Sequence, residues 1–182
     1  MKKIFYLSTI LYLSVFFVAC SSGNKENEKK DDTRVLMESS TDSQGIQRMQ
    51  VSKVNQTVRL KDKDYQISLV RIPDENLPTV ESEVGDMFVD NNITLHITQG
   101  GKQVFKQTFT KRDFVSLVGE KFLKKSILEG MVFNKTTPQG LVFAASVSYP
   151  QTDLFFPISI TISETGKMSM KEQEELEEFF YE

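Results

Sequence analysis

The chain has no tryptophan, one histidine and one cysteine in 182 residues. With Cys20 alone no internal disulfide can form, so a folded body must be held by its own core. His96 without a second imidazole or a free thiolate leaves the common zinc and nucleophile constellations without their ligands, and no metal is expected. Nothing matches a phosphate-binding loop or a dinucleotide fingerprint, so no cofactor is expected either. Basic residues are scattered, with Lys121, Lys124 and Lys125 the one tight group, which argues against nucleic acid as a partner.

What is present begins with an export signal. Lys2 and Lys3 precede an apolar run over residues 4–19, which stops at Phe17-Val18-Ala19-Cys20 and gives way to Ser21, Ser22, Gly23 and Asn24. A charged start, an apolar middle and a small residue before the cut are the parts of a secretory signal, assigned here to residues 1–19. The cysteine after the cut resembles the bacterial lipobox, with Phe17 a departure from the usual leucine, and makes Cys20 the expected lipidation site. The other reading, an uncleaved spanning anchor, suffers from a run shorter than the ~20 apolar residues a membrane helix needs. Residues 20–43 are polar and charged apart from Val35-Leu36-Met37, and are expected to form a flexible tether.

Charge divides unevenly along the chain. The formal net charge is −3, yet residues 171–182 hold Lys171 against six glutamates, so the intervening body is slightly positive. That body, residues 44–170, is long enough for a single core.

Strand signals dominate it. Val54, Val58 and Leu60 alternate with polar neighbours, Lys61-Asp62-Lys63-Asp64 supplies a four-residue loop, and Tyr65, Ile67 and Leu69 resume the alternation. Met49 and Val51 lie in the opposite phase, which suggests a β-bulge before Val54. Ile93, Leu95 and Ile97 run into Gly100-Gly101, a two-residue turn that places Ile97 opposite Val104 and His96 opposite Phe105. Thr110 and Asp113 form a loose capping box ahead of Phe114, Leu117 and Val118, with Gly119 as the stop, and residues 120–127 can add a second helical turn or two. Pro138 and Gly140 mark a turn before Leu141, Phe143, Ala145, Val147 and Tyr149, whose other face holds small residues. Phe156, Ile158, Ile160 and Ile162 alternate next. Ser169 and Glu172 form another capping box, and Leu176, Phe179 and Phe180 share one side of an acidic C-terminal helix over 171–182.

The expected fold is therefore mainly β, with α+β as the variant. An antiparallel sheet of about seven to nine strands, curled or split into a sandwich, carries one short helical insertion and a C-terminal helix. The stretches VDNNI (89–93), TFTKRDF (108–114), ILEGMVF (127–133) and FAASVSYPQTD (143–153) resemble a family of Bacteroidetes lipoproteins described as a domain of unknown function, over roughly residues 50–165. The resemblance implies a Gram-negative envelope and one compact domain, and it brings no activity and no functional residues. It fits an outer-membrane lipoprotein, on the periplasmic face or at the cell surface.

Carboxylates and amides are the candidate site residues: Asp86, Asp90, Asn91 and Asn92 before one strand, and Asp153 in a later loop. Such oxygens suit calcium, and paired carboxylates can hydrolyse glycosidic bonds, but turn chemistry accounts for the same residues more simply. A half-buried strand position accounts for His96. The leading expectation is a non-enzymatic envelope module, bound to the membrane through its lipid and recognising a protein or polymer partner. The alternative is a calcium- or small-ligand-dependent binder or hydrolase built on the loop carboxylates.

Overall fold

The computed structural model describes residues 39–173. The expected export signal, Cys20, most of the expected tether and residues 174–182 of the expected C-terminal helix lie outside them.

The fold is mainly β, with twelve strands in three sheets that do not close into a barrel. A front sheet carries, in spatial order, β3 (Ser52–Leu60), β4 (Lys63–Pro73), β7 (Asn91–Gln99) and β8 (Lys102–Phe109), all antiparallel. A back sheet carries β12 (Met168–Glu172), β11 (Phe155–Ile162), β10 (Gly140–Ser148) and β9 (Ile127–Thr137), also antiparallel. A small sheet joins β1 (Ser39–Thr41), β2 (Ile46–Met49), β6 (Met87–Phe88) and β5 (Val80–Glu81), with a parallel pairing between β2 and β6.

The alternation seen in the sequence decides which faces are buried. Tyr65, Ile67 and Leu69 of β4 and Ile93, Leu95 and Ile97 of β7 share one core with Phe143 and Val147 of β10 and Ile158, Ile160 and Ile162 of β11. Each large side chain so buried contributes about 1.5–3 kcal/mol, which is how the body holds together with no disulfide.

Several local expectations are corrected. Lys61 and Asp62 alone form the β3–β4 turn, both at positive φ (48° and 61°), and Leu60 pairs with Lys63, so the loop has two residues instead of four. That geometry matches the twist of the strands it joins. The phase change around Val51 is no bulge: β2 ends at Met49, β3 starts at Ser52, and the two belong to different sheets. At the Gly100-Gly101 turn the pairing slips after Thr98, so Ile97 faces Phe105 and His96 faces Lys106, leaving Val104 as the bulged residue.

The helical insertion is broken into pieces. A 3-10 turn (Lys111–Phe114), capped by reciprocal bonds between Thr110 and Asp113, leads into α1 (Val115–Val118) and, past Gly119 at φ 82°, α2 (Glu120–Leu123). Phe114 and Leu123 enter the core from this segment.

The ends of the body also differ. Asp42 accepts bonds from the Gln44 and Ile46 amides (2.8 and 3.0 Å) and Ser39 pairs with Met49, so β1 takes in residues expected in the tether. At the other end Met168 and Met170 face Ile162 and Ile160 across β11. This period-two burial makes 168–172 a strand, and Ser169 and Glu172 are strand residues, not a helix cap.

Candidate functional site

The sequence-derived site residues separate into two places. Asp90 and Asn91 are buried, at 1% and 0% exposure, where the front sheet meets the start of β9. Asp90 Oδ1 accepts the Asn91 and Leu128 amides, each at 2.8 Å, and its Oδ2 lies 3.1 Å from Lys111 Nζ. Lys111 Nζ donates in turn to the Ser126 carbonyl at 2.6 Å, and Asn91 Nδ2 donates to the Leu128 carbonyl at 3.0 Å. Two side chains thus grip both sides of the Leu128 backbone, as a neighbouring strand would. Three of the family-like stretches, VDNNI, TFTKRDF and ILEGMVF, meet at this joint. It fastens β7, the helical insertion and β9 together, and every charge in it is engaged internally.

Asn92 belongs to the same seam. Its Nδ2 donates to Asp74 Oδ2 at 3.0 Å, while the Asp74 amide donates to the Asp90 carbonyl at 2.9 Å. The Asn76 amide first, then Asn92, hold the Asp74 carboxyl below its ordinary pKa. Asn91 and Asn92 are strand residues of β7, paired with Pro73 and Ile72, so Asn92 is held by a contact to Asp74, just past the end of β4 and eighteen residues away, and not by the expected turn bonding to its own backbone.

Arg71 is a member of this seam that the charge pattern did not reveal. It continues the inward phase of Tyr65, Ile67 and Leu69, and is only 8% exposed. Its Nη1 donates to the Glu129 carbonyl at 2.7 Å and Nη2 to the Gln50 carbonyl at 3.2 Å. Burial lowers its pKa while the Glu129 charge opposes that. A cation in phase with core residues was the signal for it.

Asp86 lies elsewhere, at the rim of a cleft of about 200 Å³ between the small sheet and the back sheet. Met49, Phe88 and Ile127 supply its apolar floor and, with Val80, form a second, smaller core. Gln47, Glu129, Ser148 and Gln151 supply polar walls. Asp86 Oδ2 accepts from Gln47 Nε2 at 2.9 Å and Gln151 Nε2 at 2.8 Å, which ties β2 to the 149–154 loop across the cleft. The loop is held from behind by Tyr149, whose ring sits 4.5 Å from that of Phe122. On the other side of Pro150 a second hollow of about 190 Å³ is lined by Glu81, Ser82, Glu83, Lys125 and Tyr149. The stretch FAASVSYPQTD therefore builds cleft wall, where the other three build the joint. Asp153 sits exposed on the same loop and lines neither hollow.

His96 is half-buried on the outer face of the front sheet, with Ser68 and Lys106 as cross-strand neighbours, in a shallow polar trough. Among the described residues no three His, Cys, Asp or Glu side chains gather as a metal-binding set. Among them too, no helix is long and apolar enough to cross a membrane.

No curated protein matches the chain. The model of the family described as Domain of unknown function (DUF4738) matches residues 31–170, well over half of the 182 residues and all four of the stretches named above, and the chain belongs to that family.

Proposed function

We propose that this is a lipid-anchored outer-membrane protein of Bacteroidetes type, whose β-sandwich body is a non-enzymatic binding module that engages a protein or polymer in the cleft beside Asp86. Cys20, at the end of an export signal, is the anchor. From Cys20 to Ser39 the chain can reach at most roughly 65 Å, so the body works close to the membrane, on its periplasmic face or at the cell surface.

The observation that carries the binding reading is the make-up of the cleft: an apolar floor of Met49, Phe88 and Ile127 under amide, hydroxyl and carboxylate groups. Ligand sites combine apolar area with a few placed polar groups in this way. Against a hydrolase, Asp90 is fully used by Lys111 and two amides, Asp86 has one oxygen tied to two glutamine amides, and Asp153 stands exposed and lines neither hollow.

The test is site-specific crosslinking in living cells, with a photoreactive residue at Gln151 or, as a control, at Thr57 on the front sheet. A product from position 151, missing at 57 and abolished by the cleft-filling Ser148→Trp, is expected. Equal products from both positions, or one insensitive to Ser148→Trp, would rule the cleft out.

A further inference from the structure

The surface around Pro150 combines two properties that together narrow its partner. Glu81, Glu83, Asp86, Glu129 and Asp153 gather at this end and form no ion pair among the described residues; Asp64, Asp74, Asp113 and Glu172, which form none either, lie apart from one another in the chain, and the other six acids each have a cation beside them. Lys125 lines the same hollow as Glu81 and Glu83, and the buried Arg71 feels the Glu129 charge. Yet residues 39–173 as a whole carry sixteen basic against fifteen acidic side chains, so the negative character of this end is local and not a property of the body. Large apolar groups lie exposed on the same segments: Val84 at 76% in the β5–β6 turn, and Leu154 and Phe155 at 54% and 58% where the loop runs into β11. Apolar area left bare among uncompensated charges marks an interaction surface, and potentials across an interface are complementary.

We infer that the cleft and its neighbouring hollow receive an extended segment of another protein in which lysine or arginine alternates with apolar side chains. The inference rests on the cleft reading above and names the partner's chemistry. Pro150 divides the two hollows, so successive side chains of an extended strand, which point to opposite sides, can enter or straddle them while basic groups meet Glu81, Glu83 and Glu129. A small cation would answer the carboxylates and leave Val84, Leu154 and Phe155 bare. A neutral polysaccharide would leave the carboxylates unanswered.

The experiment arrays three ten-residue peptides on a solid support: lysine alternating with leucine, glutamate with leucine, and lysine with serine. The full chain is applied in non-ionic detergent. Retention on the lysine–leucine peptide is expected to exceed the other two by about tenfold, and to fall as ionic strength rises from about 0.05 to 0.5 M. A Glu81→Gln, Glu83→Gln, Glu129→Gln triple variant, with its melting temperature checked, loses that preference, and Asp62→Asn with Asp64→Asn keeps it. Glutamate–leucine retained as well as lysine–leucine, but lost with Ser148→Trp, overturns the basic partner and leaves the cleft standing. Retention indifferent to the triple variant and to Ser148→Trp overturns the inference as adsorption. No retention on any peptide, alongside a crosslink from Gln151, overturns the peptide class; with that crosslink also missing, the cleft reading falls too.

Discussion

At Asp90 one carboxylate meets two backbone amides and a buried ammonium, and the consequences of removing each partner differ. In Asp90→Ala the Leu128 amide loses its acceptor and Lys111 keeps its charge with only the Ser126 carbonyl beside it. An unpaired buried charge of this kind costs about 3–5 kcal/mol, read as a shift in the urea midpoint. Replacing both partners, with Asp90→Asn and Lys111→Met, removes both charges and keeps an acceptor for the amides, so it is expected to cost clearly less than the single Asp90→Ala. A double variant as unstable as Asp90→Ala would show that the ion pair is not what holds the joint. Turn chemistry, read from VDNNI, describes only the Asn91 amide on Asp90, since Asn91 and Asn92 are strand residues of β7 and Asn92 bonds to Asp74, eighteen residues away. The partners at 111 and 128 were illegible, because a carboxylate carries no sign of which distant amide or lysine the folded chain brings to it.

Strands were legible where burial has a period of two, as in Tyr65, Ile67, Leu69 and Ile158, Ile160, Ile162, while register was not. The bulge at Val104 lies against the β11–β12 turn some sixty residues later: a Cβ on Gly166 would collide with the Val104 carbonyl oxygen. Such a close approach of two backbones leaves no periodic trace in either segment. The cleft was hidden for the same kind of reason, since its floor comes from β2, β6 and β9, three strands too far apart in the chain for any spacing to join them. Gly166→Ala is therefore expected to cost about 1–3 kcal/mol from the forced displacement, on top of the strain of an L side chain at its φ of 78°. Gly85→Ala, at φ 92° with open space around it, carries only the backbone strain, about 1 kcal/mol. Equal losses in thermal melts of the two variants would mean that the turn has room and the bulge another cause.

For the molecule as a whole, the anchor and the body are separable in physical terms. The core is internal to residues 39–173, and no helix among them is long and apolar enough to cross a membrane. On the reading proposed above, membrane attachment comes from acyl chains on Cys20, where each buried methylene contributes about 0.8 kcal/mol and more than one chain is needed for durable binding. Cys20→Ser is expected to abolish incorporation of labelled palmitate and, with residues 1–19 exchanged for a secretory signal that is cleaved without lipidation, to move the protein from the membrane pellet to the soluble fraction. Its melting temperature should stay that of the lipidated chain in detergent, because position 20 lies nineteen residues before the first described strand residue, Ser39. Retention of Cys20→Ser in the pellet after a high-salt wash would instead place a second membrane contact on the chain. The apolar groups Val84, Leu154 and Phe155 would then be the first to substitute, since they are among the large exposed apolar groups near the cleft that a bilayer surface could take up.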